Sequence, residues 1–195
     1  MKILFVDSCM KEGEDSRTRM LCRVFLEKTL AAHPDYQVET IVLKDMDLKP
    51  YRQEDAQARA ELIEKGKLDH PMLALAGQFA GADRILIGAP FWDLCFPSLL
   101  KIYIEHIFAT GVTFRYDGPR AVGMCRAEKL MYIQSAGGFT GENDPGTVYM
   151  KAICEMLGIP KFERICAEGI DIQKIPTQPQ IQKALDEIER LAPLW

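Results

Sequence analysis

Strand-like and helix-like patterns alternate along the whole chain, and this alternation restricts its fold more than any single motif. Short apolar runs read as strands buried on both faces, and apolar stripes every three to four residues read as helices covering them; alternation of the two demands parallel strands joined by crossover helices. Lys2 to Val6 reads as the first strand, and Thr18 to Ala32 as the first helix, with Leu21, Val24, Phe25 and Leu26 as its stripe. Tyr36 to Leu43 is the second strand; residues 54–65 form a polar helix for an edge or rim, and Pro71 to Ala80 a more apolar one. Ile85 to Ile87, bounded by Gly88 and Pro90, is the third strand, followed by a helix over Ser98 to Ala109. Lys129 to Gln134 and Phe162 to Ala167 are the fourth and fifth strands, with helices at Gly146 to Leu157 and Pro179 to Leu191. The expectation is an α/β three-layer sandwich whose five-stranded parallel sheet runs in the order 2-1-3-4-5. No repeat, low-complexity tract or linker divides the chain, so one domain is expected over 1–195.

A domain of 195 residues buries roughly 70% of the surface its unfolded chain would expose, and needs no covalent staples. The six cysteines are scattered without a CxxC pair, which fits reduced thiols and a cytoplasmic location. Only four consecutive apolar residues precede Asp7, too few for a signal peptide, and no run approaches the roughly 18 residues of a membrane span. A net charge of −4 with interspersed signs argues against a nucleic-acid partner. His33, His70 and His106 show no ligand spacing, so no metal site is expected.

Open parallel sheets bind ligands beyond the carboxyl ends of their strands, so the loops after strands one, three and four should describe one ligand. The first, Ser8 to Thr18, ends in Ser16-Arg17-Thr18 at the start of a helix, where hydroxyls, free backbone N–H groups and the helix dipole suit a phosphate. Ser16 is equally readable as an ordinary N-cap. The second loop, Pro90-Phe91-Trp92-Asp93-Leu94, is stiffened by its proline and presents two adjacent aromatics, suited either to a flat ring or to packing beneath a helix. The third, Gln134-Ser135-Ala136-Gly137-Gly138-Phe139, carries two glycines that permit close backbone approach or make a bare turn. Together the three describe a ligand with a phosphate at one end and a flat, hydrogen-bonding ring at the other, and flavin mononucleotide (FMN) has that chemistry.

These pieces, in this order, resemble the FMN-dependent NADH-azoreductases and related NAD(P)H:quinone oxidoreductases, which have a flavodoxin-like fold. Pro90-Phe-Trp-Asp-Leu94 is similar to the family's Pro-Met-Tyr-Asn-Phe loop, and Leu100-Lys-Ile-Tyr103 to the start of the following helix. Gly111-Val-Thr-Phe-Arg-Tyr116 matches a family motif residue for residue, and Ser135-Ala-Gly-Gly138 is similar to its Ser-Arg-Gly-Gly loop. The resemblance implies that Ser8, Ser16, Arg17 and Thr18 hold the FMN phosphate and ribityl chain. It further implies that Pro90, Phe91, Trp92, Asp93 and Leu94 contact the ring, and that Ser135, Ala136, Gly137 and Gly138 close on the flavin. Tyr116 is either a candidate substrate or flavin contact at the rim or a tyrosine packed at a loop with its hydroxyl in water; separately, the loop-like stretch from Asp45 to Gln53 places Pro50 and Tyr51 within reach of a site's rim.

The implied activity is ping-pong hydride transfer from NADH or NADPH through FMN to a small-molecule electron acceptor such as a quinone or azo compound. The flavin carries the redox chemistry, and no protein residue is assigned as catalytic. The resemblance also implies a homodimer, for which the helix 98–109, with Ile102, Tyr103, His106 and Ile107, is either the interface or a buried element. A flavodoxin-like electron carrier and a non-catalytic flavin-binding protein are the other two readings of such a pocket.

Three departures from the family pattern stand out. The first loop is about two residues longer and carries Glu12, Glu14 and Asp15, which are expected to lie away from the phosphate. Ala136 replaces Arg, removing a cation. Asp93 replaces Asn, and a carboxylate near a reduced, anionic flavin should lower its reduction potential by like-charge repulsion. Asp93→Asn is therefore expected to raise the flavin midpoint potential, measured by spectroelectrochemistry; an unchanged or lower potential would refute it.

Overall fold

In a computed structural model describing residues 1–11 and 16–195, five parallel strands form the central sheet in the order β2-β1-β3-β6-β7. These strands are β1 (Lys2–Asp7), β2 (Gln37–Val42), β3 (Arg84–Gly88), β6 (Lys129–Ser135) and β7 (Lys161–Ala167). A separate antiparallel hairpin, β4 (Phe114–Asp117) with β5 (Arg120–Gly123), intervenes. Without it the order is the expected 2-1-3-4-5. The hairpin escaped the sequence reading because its strands are four residues each and largely exposed, so no apolar alternation marks them.

The expected buried character of the third strand holds, since all five residues of β3 are buried. Alternate side chains along the strands divide the core into two layers. Leu4, Val6, Ile85, Ile87, Leu130 and Tyr132 face α3 (Ala74–Ala80), α4 (Ser98–Ile107) and α5 (Pro145–Leu157). Ile3, Phe5, Leu86, Met131, Ile133 and Ile165 face α1 (Arg17–Ala32) and α6 (Thr177–Leu191). The C-terminal Trp195 is sealed beneath this second layer, edge-on to Phe25 at 5.0 Å.

Local signals set the helix ends. Ser16 caps α1 by accepting from the Arg19 amide at 3.3 Å. Asp144 caps α5 by accepting from the Thr147 amide at 3.1 Å, Pro145 fills its first turn, and Gly158 ends it with φ 77°. The expected helix 71–80 begins as a 3-10 turn over Pro71–Leu73, with the His70 ring accepting from the Met72 amide. The polar helix, α2 (Gln53–Glu64), has no buried residue. In α4, Tyr103 and Ile107 lie inside the chain's own core, leaving Ile102 and His106 half-buried on the outer side.

The Gly111–Tyr116 motif is the seam between α4 and the hairpin. Gly111 turns with φ 87° and its amide donates to the Phe114 carbonyl at 2.7 Å. Buried Thr113 donates through Oγ1 to the Ile107 carbonyl at 2.7 Å, closing the end of α4, while Phe114 enters the core. At the far end of the hairpin, Gly123 passes so close to α5 that an added Cβ would lie 2.0 Å from Gly158 N and Leu157 C. Backbone on that side cannot give way, so Gly123→Ala should cost about 3 kcal/mol of stability. Chemical denaturation would measure it, and a loss under about 1 kcal/mol would mean that the hairpin moves freely on α5.

Candidate functional site

Three of the sheet's loops and one further segment meet at the carboxyl edge of β1, β3 and β6. They enclose a cleft of about 540 Å³, including its open mouth, lined by Ser16, Arg17, Thr18, Pro90, Phe91, Trp92, Ser135 and Gly137, with Met10, Lys11, Ile170 and Asp171. Eight expected residues are thus brought together from three separate loops.

The first loop is held from below. Asp7, at the end of β1, is buried and takes the Arg19 Nε–H at 2.6 Å, while its other oxygen accepts from the Cys9 amide at 2.9 Å. The same guanidinium donates to the carbonyls of Cys9 and Lys11, each at 2.9 Å. A single cation thus binds the strand end, the loop and the first turn of α1 together. The amides of Arg17 and Thr18 fall in that first turn, where no helical partner exists for them, and point to the cleft end of the helix. Ser8 lies deeper: its amide donates to the Gly88 carbonyl at 2.8 Å, and its buried hydroxyl has no hydrogen-bond partner among the described residues. Glu12, Glu14 and Asp15 lie outside the described residues.

The second loop is a tight reversal. Trp92 and Cys95 exchange backbone hydrogen bonds of 3.2 and 2.7 Å, and the residues between them, Asp93 and Leu94, have φ of 47° and 67°. Positive φ at both central positions is the requirement of a type I′ turn. Asp tolerates this region, whereas Leu is held there at a cost of about 1–2 kcal/mol. The reversal turns Trp92 and Leu94 outward, 44% and 72% exposed. Asp93 is exposed at the tip; neither it nor Leu94 lines the cleft.

The third loop is clamped on two sides. Ser135 Oγ and Thr18 Oγ1 are 2.7 Å apart, and the Ser135 carbonyl accepts from the Phe91 amide at 2.9 Å, tying all three loops to one another. Ala136 is buried beneath the cleft, with its amide on the Ala167 carbonyl at 2.8 Å. Gly138 lies outside the lining, and its carbonyl accepts from the Gly169 amide at 2.9 Å. Below this loop Glu168 accepts from the amides of Thr140 and Gly141 and the Thr140 hydroxyl. Burial works to raise its carboxyl, but those donors and Arg164 hold it below the ordinary range.

Arg17, expected to supply charge to a phosphate, donates instead to Asp171 at 2.7 Å. Ile170 and Asp171 join the cleft from outside the three expected loops: Gly169, with φ 72°, is the sequence signal that the chain turns back there after β7. Tyr116 stands 61% exposed on the hairpin, packed edge-on to Phe114, and does not line the cleft. Tyr51 likewise lies elsewhere, edge-on to His106 at 5.0 Å with the Arg59 guanidinium 4.4 Å over its ring.

The thiols next to the site are poor nucleophiles. Burial, reinforced by the Asp7 charge, pushes Cys9 up to about 12, and burial also raises Cys95. Among the described residues no group of His, Cys, Asp and Glu is arranged to hold a metal ion.

The family described as having a flavodoxin-like fold matches residues 1–192. The chain belongs to that family. An FMN-dependent NADH:quinone oxidoreductase 2 of Clostridium acetobutylicum is 35% identical over 176 residues, covering 88% of each chain. An FMN-dependent NADH:quinone oxidoreductase of Clostridium beijerinckii is 30% identical over 193 residues, covering 98% of each. The azoreductase of Bacillus anthracis superposes with a TM-score of 0.88 at 24% identity, over 100% of this chain and 99% of its own, which establishes a shared fold. This flavodoxin-like chain thus carries its cleft where the fold places a ligand.

In the flavodoxin-like frame, Arg19 is the residue on which the first loop's shape rests. Arg19→Met would leave Asp7 buried without its cation, and should lower the unfolding free energy by about 3–5 kcal/mol. Urea denaturation checks this, with Asp7→Asn in the same background expected to recover part of the loss.

Proposed function

We propose that the chain is an FMN-dependent NAD(P)H oxidoreductase that reduces quinones, azo compounds or similar flat aromatic acceptors. The observation that carries this reading is the single cleft with a helix N-terminus at one end and Phe91 and Trp92 at the other, bridged by the Ser135–Gly137 loop. Its residues fit FMN: Ser16, Thr18 and the first-turn amides suit a phosphate, Gly137 brings backbone to the cleft wall, and the buried Ser8 hydroxyl at the end of β1 has no partner among the described residues. The names of the related quinone oxidoreductases support NADH as the donor.

FMN held by these residues would supply the hydride and electron chemistry that links a nicotinamide donor to the acceptor. The chain's own residues bind and orient. Pro90, Phe91 and Trp92 would hold the ring on a loop already fixed by the Trp92–Cys95 reversal, so little order is left to impose on binding. Asp93 and Leu94 complete the same loop outside the lining, and opposite it Gly137 supplies backbone to the wall, with Ala136 buried beneath and Gly138 beyond it. Donor and acceptor would use one open face in turn, which gives ping-pong kinetics.

The whole of 1–195 acts in this reading as one FMN-binding domain. Trp92, Leu94, Tyr116 and Phe139 are exposed apolar side chains on the loops and hairpin of the molecule; a second copy of the chain covering them would exclude water from the ring and give a homodimer. Tyr116 would then reach substrate from the rim. Six free thiols, and no helix long and apolar enough to cross a membrane among the described residues, fit a cytoplasmic enzyme.

The purified protein should be yellow, and NADH should bleach it within the turnover time without a long-lived one-electron-reduced flavin. Accumulation of that one-electron form would favour an electron carrier. Colourless protein that takes up no FMN would remove both.

A further inference from the structure

We infer that Asp171 sets how strongly the cleft discriminates a phosphorylated flavin from an unphosphorylated one, by competing with the phosphate for Arg17. This rests on the flavin reading of the cleft above.

The geometry is that of a built contact. Three successive amides of the segment after β7 pair with the Gly-Gly loop: Gly169 to the Gly138 carbonyl at 2.9 Å, Ile170 to Ala136 at 3.3 Å and Asp171 to Gly137 at 3.0 Å. These bonds fix the Asp171 backbone on the cleft wall. Its Oδ1 takes the Arg17 guanidinium at 2.7 Å, and its Oδ2 stands over Gly137, where an added Cβ would lie 2.9 Å from it. The carboxylate therefore sits between the α1 end of the cleft and the Gly137 wall, and both its partners line the cleft.

Charge then decides the consequence. Arg17 sits at the first position of α1, beside the amides suited to a phosphate, yet its guanidinium is turned to a carboxylate. The side chains of the pair are 41% and 64% exposed, so water screens them and the pair itself stabilises the fold little. A dianionic phosphate arriving at the helix end meets a neutralised cation and a nearby negative charge, with Lys11 as the other basic residue of the lining. Ring and polyol contacts are untouched by either effect. The phosphate's share of the binding is reduced, and the ring's share is preserved.

The test is a double-mutant cycle on the full chain freed of carried-over flavin, titrated with FMN and with riboflavin by quenching of flavin fluorescence. Asp171→Asn keeps the shape and removes the charge; it should tighten FMN by about threefold to tenfold and leave riboflavin unchanged. Arg17→Met should change FMN affinity by less than about twofold alone, and should weaken it by about threefold to tenfold in the Asp171→Asn background. Raised ionic strength should shrink these differences. An unchanged FMN-to-riboflavin ratio in Asp171→Asn, or weaker FMN binding, overturns the inference, the latter by showing that Asp171 presents Arg17 to the phosphate. Absence of FMN binding in every form, with unfolding curves like that of the parent, would instead reject the flavin reading itself.

Discussion

The buried Asp7–Arg19 pair is the interaction on which the cleft depends. A buried carboxylate at the end of a strand is costly unless its charge and lone pairs are met, and here Arg19 Nε and the Cys9 amide meet them. The remaining guanidinium nitrogens reach forward to the carbonyls of Cys9 and Lys11. Carbonyls that would otherwise compete for the loop's interior are thus bound to a cation, and the first-turn amides of α1 stay available at the cleft. Backbone amides, unlike lysine side chains, cost no rotamer entropy when they engage an anion, so the first loop can recognise a phosphate while its one lining arginine is engaged elsewhere.

From that anchor the other two loops are positioned in sequence. Gly88 ends β3 against α1 so closely that a Cβ would lie 2.6 Å from Cys22 Sγ, and its carbonyl takes the Ser8 amide. Strand, helix and loop therefore meet at a point where a side chain larger than glycine's would have to displace Cys22. Thr18 then reaches Ser135, and the Ser135 carbonyl takes the Phe91 amide. Each loop is tied to the next by one bond of 2.7–2.9 Å, so the spacing between the phosphate end and the aromatic end is set by the sheet. The strained Leu94 belongs to the same design: its backbone cost is met by the surrounding structure, and its effect is to turn Trp92 outward beside the cleft.

The central sheet was legible because burial on both faces writes itself as apolar runs: all of β3 and most of β1 and β6 are covered, and their order followed from the alternation of strand and helix. The hairpin was not, because Arg115, Tyr116 and Asp117 are exposed and leave no such pattern. Of the site, the loops after β1, β3 and β6 were found through their turn and capping residues. Loop location does not settle direction: Asp93, Leu94 and Tyr116 sit in or near the right segments and face outward, and Ala136 faces into the core. Arg17 shows a second limit. Its place at a helix start is a local property, but its partner lies 154 residues away in sequence and is brought there by β7 pairing alongside β6.

That long-range pair also bears on how a cleft assembled from weak signals becomes selective. Hydroxyls, amides and glycines recur at many turns, and each alone is as readily a cap or a bend as a ligand contact. What distinguishes the set here is that independent constraints converge on one cleft of about 540 Å³: the cap of α1, the reversal after Pro90 and the clamp on Gly137. Electrostatics then refines what shape admits. A carboxylate held at the wall subtracts from the attraction for an anion without narrowing the cleft, so affinity for the charged end of a ligand can be adjusted independently of the fit to its flat end.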